Sequence, residues 1–343
     1  MLKRFLLGFV LSAGIASQAI ASPLVANLPG TVVPAPDGNT QTLHSLLWMS
    51  DDRIDLAKAK ITIDHLVDPS VDVAGTLHEV DAWAAKVQSR IPAGASTWTK
   101  VLVLASTLYQ PGPWNDYKKF DYNFEDPFGK DVHTTMLSTY LATKRGNCVS
   151  MPIFFAVLAQ RMGLHVALAT APNHMFVKVK LDDGQLKNIE ATSGSTLTDQ
   201  EYMQRFNIDP RGVASGIYLR PLPPHEAVVE MANPMMEFYA KSHTPEQIMA
   251  LVTMGLSYDP RDLDAMMLKA MAYDKEVTIR YRSKYSNTHM LSPEQFADYK
   301  ALMDGYFDIA DQMQALGWHR RSAQQDQEYQ QAIQQAKAKE QGP

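Results

Sequence analysis

The sequence contains only one cysteine, Cys148, among its 343 residues. A single thiol excludes an intramolecular disulfide, and it excludes the paired cysteine spacing of structural zinc sites. There is no His-Glu-x-x-His run, the ten histidines are scattered, and no glycine-rich phosphate-binding loop occurs. The sequence therefore predicts neither a metal site nor a bound cofactor.

Positive charge is also scarce. Lysine and arginine number 32 against 37 acidic residues, which gives a formal net charge of -5, and the basic residues are dispersed along the chain. Partners that are held through phosphate contacts need a concentrated basic surface. We therefore expect no nucleic-acid partner.

Long apolar runs are confined to the beginning of the chain. Lys3 and Arg4 precede an apolar run over residues 5–15, and small residues then lead to Ala21. This pattern is typical of a secretory signal peptide that is cleaved after Ala21. The run is too short to span a bilayer comfortably, so no transmembrane segment is expected. The sequence predicts a soluble, exported protein that is periplasmic or secreted.

Composition and hydrophobic periodicity divide the chain into five parts, and the hydrophobic content of 45% supports a sizeable core. The predicted parts are a signal peptide (1–21), a linker or arm rich in Pro and Gly (22–42), a first folded unit (43–224) with helices over 43–108 and a core over 109–224, a helical region (225–321), and a polar tail (322–343). The tail is predicted to be a solvated helix or disordered.

Helix starts in the region after residue 225 are indicated at Thr244, close to Asp259, and at Ser292. Helix pairs of this kind stack as tetratricopeptide-like units, although the repeat period here is not regular. Methionines crowd this region between Met235 and Met271. They are interpreted either as core residues or as a pliable groove for a partner.

A segment dense in aromatic residues, over residues 109–131, precedes the lone cysteine. Exposing so many large rings is unfavourable unless they pack on a core or line a cleft, and the pattern favours a cover over a cleft. A helix is then predicted over residues 134–144, ended by Gly146.

The helix that follows Cys148 is apolar on nearly all sides, which is typical of a buried central helix ended by Gly163. Proline is tolerated only near the first turn, so Pro152 predicts that Cys148 lies at the helix N-terminus. There the helix dipole favours a thiolate, and we expect a thiol pKa below the usual value of about 8.5. The N–H groups of Cys148 and Val149, with the side chain of Asn147, are the candidate oxyanion donors.

A β-hairpin is predicted after this helix. Strands over 165–171, 174–181 and 185–191 are indicated, and the last two are joined by Asp182-Asp183-Gly184. A three-residue loop with Gly last pairs residue 181 with 185, and therefore residue 176 with 190. This register places His174 and Glu190 on one face, whereas a two-residue loop would separate them. A further short strand is predicted over residues 218–220.

Cys148, His174 and Glu190 fit the roles of nucleophile, base and orienting acid for attack on an amide carbonyl. A purely structural role stays open for each residue. Cysteine is often a small buried hydrophobe, and Glu190 has Lys178 and Lys187 as alternative partners.

Three segments carry a resemblance to a known family. They are Arg145-Gly146-Asn147-Cys148 opening an apolar helix, Ala171-Pro172-Asn173-His174 opening a strand, and Asn188-Ile189-Glu190-Ala191-Thr192 ending the next. Together they resemble the core of the bacterial transglutaminase-like superfamily, in the branch whose core is followed by tetratricopeptide-type helices.

The resemblance implies an α+β, papain-like fold in which a buried helix packs against a small antiparallel sheet, with helices on both flanks. It also implies a catalytic triad at Cys148, His174 and Glu190 that transfers or hydrolyses an acyl group of a protein or peptide amide. Glu190 departs from the more usual aspartate, and some relatives lack the nucleophile. A non-catalytic envelope scaffold or peptide-binding module, with a partner at the C-terminal helices, is therefore the alternative.

Overall fold

The computed structural model describes residues 28–29 and 37–341. The predicted signal peptide, residues 1–21, lies outside these residues, as does most of the predicted linker. Leu28 is buried, and helix α1 (Gly38–Leu47) begins inside the stretch 22–42 that was predicted as linker. The Asp37 side chain caps α1 by accepting a hydrogen bond from the Thr40 N–H at 2.7 Å, which allows the helix to begin this early.

The predicted N-terminal helices are confirmed. They are α2 (Leu56–Val67), α3 (Val73–Gln88) and α4 (Thr97–Tyr109). Each begins after a side-chain cap, supplied in turn by Asp55, Asp72 and Ser96, which satisfies a backbone N–H that has no partner within the helix.

The aromatic segment that follows α4 contains strand β1 (Asp121–Tyr122), and helix α5 (Leu137–Thr143) is shorter than predicted. Lys144 ends α5 in the left-handed conformation (φ 55°), so the prediction of Gly146 as the stop was wrong. Gly146 instead lies in strand β2 (Arg145–Gly146), parallel to β1. A Cβ there would lie 2.5 Å from the Tyr140 ring, so close packing explains the glycine.

Helix α6 (Ser150–Arg161) is the buried central helix that the sequence predicts. All residues from Ser150 to Ala159 are buried. Gly163 ends the helix with φ 71°, and the Leu164 N–H donates to the Ala159 carbonyl at 3.0 Å, as is usual for a glycine C-cap.

The sheet beside α6 has the antiparallel order β3 (Val166–Ala171), β4 (His174–Lys180) and β5 (Leu186–Ile189). Val177 pairs with Ile189, which confirms the register predicted from the turn. Gly184, the last residue of the three-residue loop, takes the left-handed conformation (φ 83°) that this type of turn requires. One face of β4 packs its apolar side chains in the core with α6, and the other carries His174 and Phe176.

Helices α7 (Asp199–Phe206) and α8 (Pro210–Ser215) cover this second face. The short strand predicted at residues 218–220 is not present. Leu219 takes φ 61°, which bends the chain there, although its N–H donates to the Thr170 carbonyl of β3 at 2.9 Å.

The region predicted to be helical contains α9 (Pro224–Ala240), α10 (Pro245–Tyr258), α11 (Leu263–Val277) and α12 (Pro293–Ala315). The polar tail, for which a helix or disorder was predicted, forms helix α13 (Ala323–Gln341). Thr244 and Ser292 are N-caps of α10 and α12, and Asp262 rather than Asp259 caps α11. A tetratricopeptide arrangement stays a prediction. No helix within residues 37–341 combines the length and apolar character needed to cross a membrane.

A single apolar cluster extends from Leu28 through α6 to Met313, so the core continues across the predicted boundary at residue 224. Most of the C-terminal methionines are buried in it, and Met267 and Met271 are exposed. The chain is therefore an α+β protein with a small antiparallel sheet among many helices.

Candidate active site

Cys148 lies immediately before the N-cap residue of α6, close to the predicted helix start. Its side chain is buried, with 4% exposed. The sulfur lies 3.5 Å from the Pro127 carbonyl oxygen and 3.8 Å from that of Asn173. Pro127 belongs to the aromatic segment, so part of that segment covers the thiol, whereas Phe120 of the same segment is a core residue.

The prediction of a depressed thiol pKa was wrong. Burial and the nearby negative charge of Glu190 raise the pKa of Cys148 to about 12, although its own backbone N–H acts in the opposite direction. The N–H groups at the start of α6 do not stabilise the sulfur. Those of Val149 and Ser150 each donate instead to the Asn147 side-chain oxygen at 3.1 Å.

The side chain of Asn147, two residues before the N-cap residue Val149, supplies the capping hydrogen bonds of α6. Its Oδ1 accepts the two N–H groups just described, and its Nδ2 donates to the Thr134 hydroxyl at 3.1 Å. Two of the predicted oxyanion donors, the Val149 N–H and the Asn147 amide, are therefore engaged in structural hydrogen bonds. The backbone N–H of Cys148 has no such partner among the described residues and interacts with its own sulfur.

His174 and Glu190 meet as the hairpin register predicts, with His174 Nε2 2.7 Å from Glu190 Oε2. Both residues are buried. The Thr192 hydroxyl donates to Glu190 Oε1 at 2.6 Å. Although burial disfavours the charged form, the interactions with His174 and Thr192 lower the pKa of Glu190 to about 2. Glu190 is therefore an anion at neutral pH.

The alternative lysine partners of Glu190 are engaged elsewhere. Lys178 Nζ lies 2.7 Å from an Asp199 carboxylate oxygen and donates to the Asn188 side chain at 2.8 Å. Lys187 Nζ lies 4.3 Å from the centre of the Trp98 ring. Neither lysine pairs with Glu190, and His174 is its basic partner.

The Nδ1 atom of His174 is buried and has no hydrogen-bond partner among the described residues. Because Nε2 faces the carboxylate, the neutral ring that carries its proton on Nε2 leaves Nδ1 as an acceptor. Phe206 stacks on the ring, with centroids 5.0 Å apart, and fixes its plane. His174 and Cys148 line the same cleft, with no direct hydrogen bond between thiol and ring in this part of the chain.

Tyr202 is a site residue to which the sequence analysis gave no role. Its hydroxyl donates to Glu190 Oε2 at 3.0 Å, the same oxygen that accepts from His174. The side chain is fully buried and stacks on Phe176, with ring centroids 4.1 Å apart. The capping box Thr198 to Glu201 indicates a helix here, yet nothing in the sequence indicates that this helix packs against the hairpin face.

The cleft has a volume of about 700 Å³. Cys148 and His174 lie in one part of its wall, and residues of α9, α11 and the segment 318–321 form another. Within the described residues, no group of three or more His, Cys, Asp or Glu side chains is arranged to hold a metal ion.

Residues 75–233 match the model of the transglutaminase-like superfamily. The matched segment includes Cys148, His174, Glu190 and Tyr202 and ends within α9. This part of the chain therefore carries a transglutaminase-like domain, in agreement with the resemblance that the three sequence segments indicate.

Among individual proteins, the chain is similar to a UPF0162 protein of Xylella fastidiosa (strain 9a5c), with 21% identity over 188 residues. The similarity covers 50% of this chain and spans 66% of that relative's length. The crystal structure of menin, which is described as revealing the binding site for Mixed Lineage Leukemia (MLL) protein, aligns with 87% of this chain and 75% of its own. This alignment has a TM-score of 0.39 and an identity of 14%.

Proposed function

We propose that this protein is a thiol enzyme that transfers or hydrolyses the acyl group of a protein or peptide amide. Cys148 is the nucleophile, His174 the general base and acid, and Glu190 the group that orients His174. The observation that carries the proposal is the buried His174–Glu190 pair, which leaves Nδ1 without a partner in the cleft that Cys148 also lines.

In the proposed reaction the thiol is neutral at rest, since its pKa is raised to about 12. Its proton moves to His174 Nδ1 as the sulfur attacks the carbonyl carbon, and a tetrahedral oxyanion forms. The C–N bond then breaks, and the imidazolium gives its proton to the leaving amine. The ionised Glu190 stabilises the imidazolium throughout.

The resulting thioester is released by a second acceptor. His174 takes a proton from water or from an amine, the new C–O or C–N bond forms, and the C–S bond breaks with the proton returning to sulfur. Hydrolysis and transfer share this intermediate, so the acceptor defines which of the two activities the enzyme has.

Acylation by p-nitrophenyl acetate tests the proposal without a known substrate. We expect a burst of p-nitrophenolate and an acetyl group on Cys148 in the intact mass, both absent in Cys148→Ala. His174→Ala should slow acylation by about a hundredfold or more, the usual contribution of general base catalysis. Added ethylamine reports whether an amine competes with water for the acetyl group.

His165→Ala is the matched control, because His165 is exposed and lies outside the cleft. Its acylation rate should equal that of the unmodified protein. Acylation that is absent, or that is equally fast in His174→Ala, would contradict the proposed mechanism.

The burial of the thiol favours a second candidate, a non-catalytic module that binds a protein or peptide partner in the same cleft. A neutral, covered cysteine is also what a packing residue looks like. In this case the acylation experiment is negative, and Cys148→Ala retains whatever binding the cleft has.

We also propose that the protein is exported to the periplasm or the medium. The support is the sequence pattern ending at Ala21, which lies outside the described residues. Fractionation of cells followed by N-terminal sequencing should give a mature chain that begins at Ser22. A cytoplasmic chain that retains its first residues would contradict export.

A further inference from the structure

The part of the cleft formed by α9 and α11 carries four carboxylates. They are Glu230, Glu237, Asp262 and Asp264, which we call the acidic wall. Glu237 and Asp264 are exposed, Glu230 is half-buried and Asp262 is buried. Within residues 37–341, none of the four forms an ion pair with a basic side chain.

Four arginines line the cleft, Arg220, Arg261, Arg320 and Arg321, and the first two are paired with other carboxylates. Arg220 binds the carboxylates of Glu226 and Asp259, and Arg261 contacts the same two side chains. Their charges are thereby directed at residues outside the acidic wall. Burial and the neighbouring Asp264 carboxylate raise the pKa of Asp262 to about 7, so ionising the whole group is unfavourable without a cation.

A second, independent observation comes from Asn233, which lines the same part of the cleft and is 5% exposed. Its Nδ2 donates to the Asp262 carboxylate at 3.0 Å, yet its Oδ1 is buried and accepts from no described residue. An orphaned buried acceptor is costly and requires an explanation. A donor that enters the cleft would supply the missing hydrogen bond.

The backbone adds one more acceptor at this position. Pro234 lies inside α9 and has no N–H to donate to the carbonyl of Glu230, four residues earlier. Both residues line the cleft. Carboxylates, an amide oxygen and a released carbonyl therefore line this part of the cleft together. The described donors to these carboxylates are Asn233 Nδ2 and the backbone N–H groups at the start of α11, and none of them reaches Asn233 Oδ1.

We propose that the acidic wall binds a guanidinium-bearing side chain of a peptide or protein. A guanidinium is cationic and carries five N–H donors in a fixed plane, so it can serve several acceptors at once. A metal ion fits less well, because these side chains are not arranged as ligands for one. Met267, Met271 and Trp318 line the same cleft and offer apolar contacts to the aliphatic stem.

This inference rests on the proposed function only in treating the cleft as the substrate site. In that setting, an arginine of the substrate occupies the acidic wall while another part of the same peptide reaches Cys148. The arginine is bound and not acylated. It therefore selects which peptides enter.

Binding of N-acetyl-arginine amide to Cys148→Ala protein, measured by calorimetry, tests the inference apart from catalysis. We expect binding of this probe and at least about tenfold weaker binding of N-acetyl-citrulline amide, which has the same shape without the charge. N-acetyl-lysine amide shows whether charge alone suffices. Binding of lysine and arginine amides with equal affinity would overturn the preference for guanidinium.

Asp264→Asn and Glu237→Gln, each made in the same protein, should weaken binding of the arginine probe by about tenfold. Both side chains are exposed, so folding is preserved, and thermal melting checks this. Asp311→Asn on α12 makes the same charge change outside the cleft and should leave the affinity unaltered. Equal binding of arginine and citrulline amides, or loss of affinity in Asp311→Asn as well, would overturn the inference.

Failure of this inference and failure of the proposed function are distinguishable. Arginine binding without acylation of Cys148 supports the acidic wall and contradicts the enzyme. Acylation of Cys148 without arginine binding supports the enzyme and contradicts the acidic wall as a guanidinium site.

Discussion

The position of the Cys148 proton is the main question at the scale of single residues. The sulfur lies beside two carbonyl oxygens, which accept a hydrogen bond from a thiol and repel a thiolate. In the proposed reaction His174 receives this proton: Glu190 orients the ring, and Nδ1 has no competing partner among the described residues. In the proposed reaction the thiol is therefore neutral at rest and loses its proton only when a carbonyl is attacked.

Alkylation of Cys148 by iodoacetamide measures this resting state. The raised pKa of about 12 means less thiolate at any lower pH, so the rate should rise continuously with pH to beyond pH 9. At pH 8 the folded protein should react about a thousandfold more slowly than the urea-unfolded chain, whose thiol has an ordinary pKa. A rate that reaches a plateau near neutral pH would indicate a thiolate–imidazolium pair instead.

Tyr202→Phe tests the second donor on Glu190. It removes one hydrogen bond to a buried carboxylate, so the free energy of unfolding should fall by about 2 kcal/mol. With Glu190 held by fewer contacts, acylation by p-nitrophenyl acetate should also slow, by about tenfold.

Tyr140→Phe is the matched control for this change. Tyr140 is equally buried, but its hydroxyl has no partner among the described residues. Removing it should leave both the stability and the acylation rate close to those of the unmodified protein. Equal losses in the two variants would show that Tyr202 has no specific part in the site.

Helix α6 is the element that positions Cys148, the proposed nucleophile, and Asn147 caps its first N–H groups. Asn147→Ala removes the cap and should lower the free energy of unfolding by about 1 kcal/mol. Asn147→Asp keeps an oxygen for the cap but loses the amide donor to Thr134, and should lose less stability. Urea unfolding should therefore rank the unmodified protein as most stable, Asn147→Asp next and Asn147→Ala last. Asn147→Asp as unstable as Asn147→Ala would contradict the capping role.

The hairpin and the helices around it show which features of the candidate site could be predicted from the sequence. The turn Asp182-Asp183-Gly184 determines the hairpin register locally, so the meeting of His174 with Glu190 was predictable from turn chemistry alone. The pKa of Cys148 was not, because it depends on which groups the N–H donors of α6 reach and on the burial that distant segments impose. Long-range packing likewise determines the place of Tyr202.

At the scale of the whole molecule, the apolar cluster joins the transglutaminase-like segment to the C-terminal helices. A shared core links the stabilities of the two parts. Urea unfolding followed by hydrogen exchange should show residues of α6 and of α11 losing protection at the same urea concentration. The chain cut after residue 224 should not fold alone, and a well-folded fragment 37–224 would contradict this prediction.

The last helix reaches back across the molecule, because Lys337 Nζ of α13 lies 2.6 Å from the Glu125 carboxylate. Glu125 belongs to the segment that covers the thiol two residues later, at Pro127. An affinity tag or fusion partner attached after α13 would therefore lie close to the cover of the proposed active site. Preparations intended for activity measurements are better tagged elsewhere, or have the tag removed before assay.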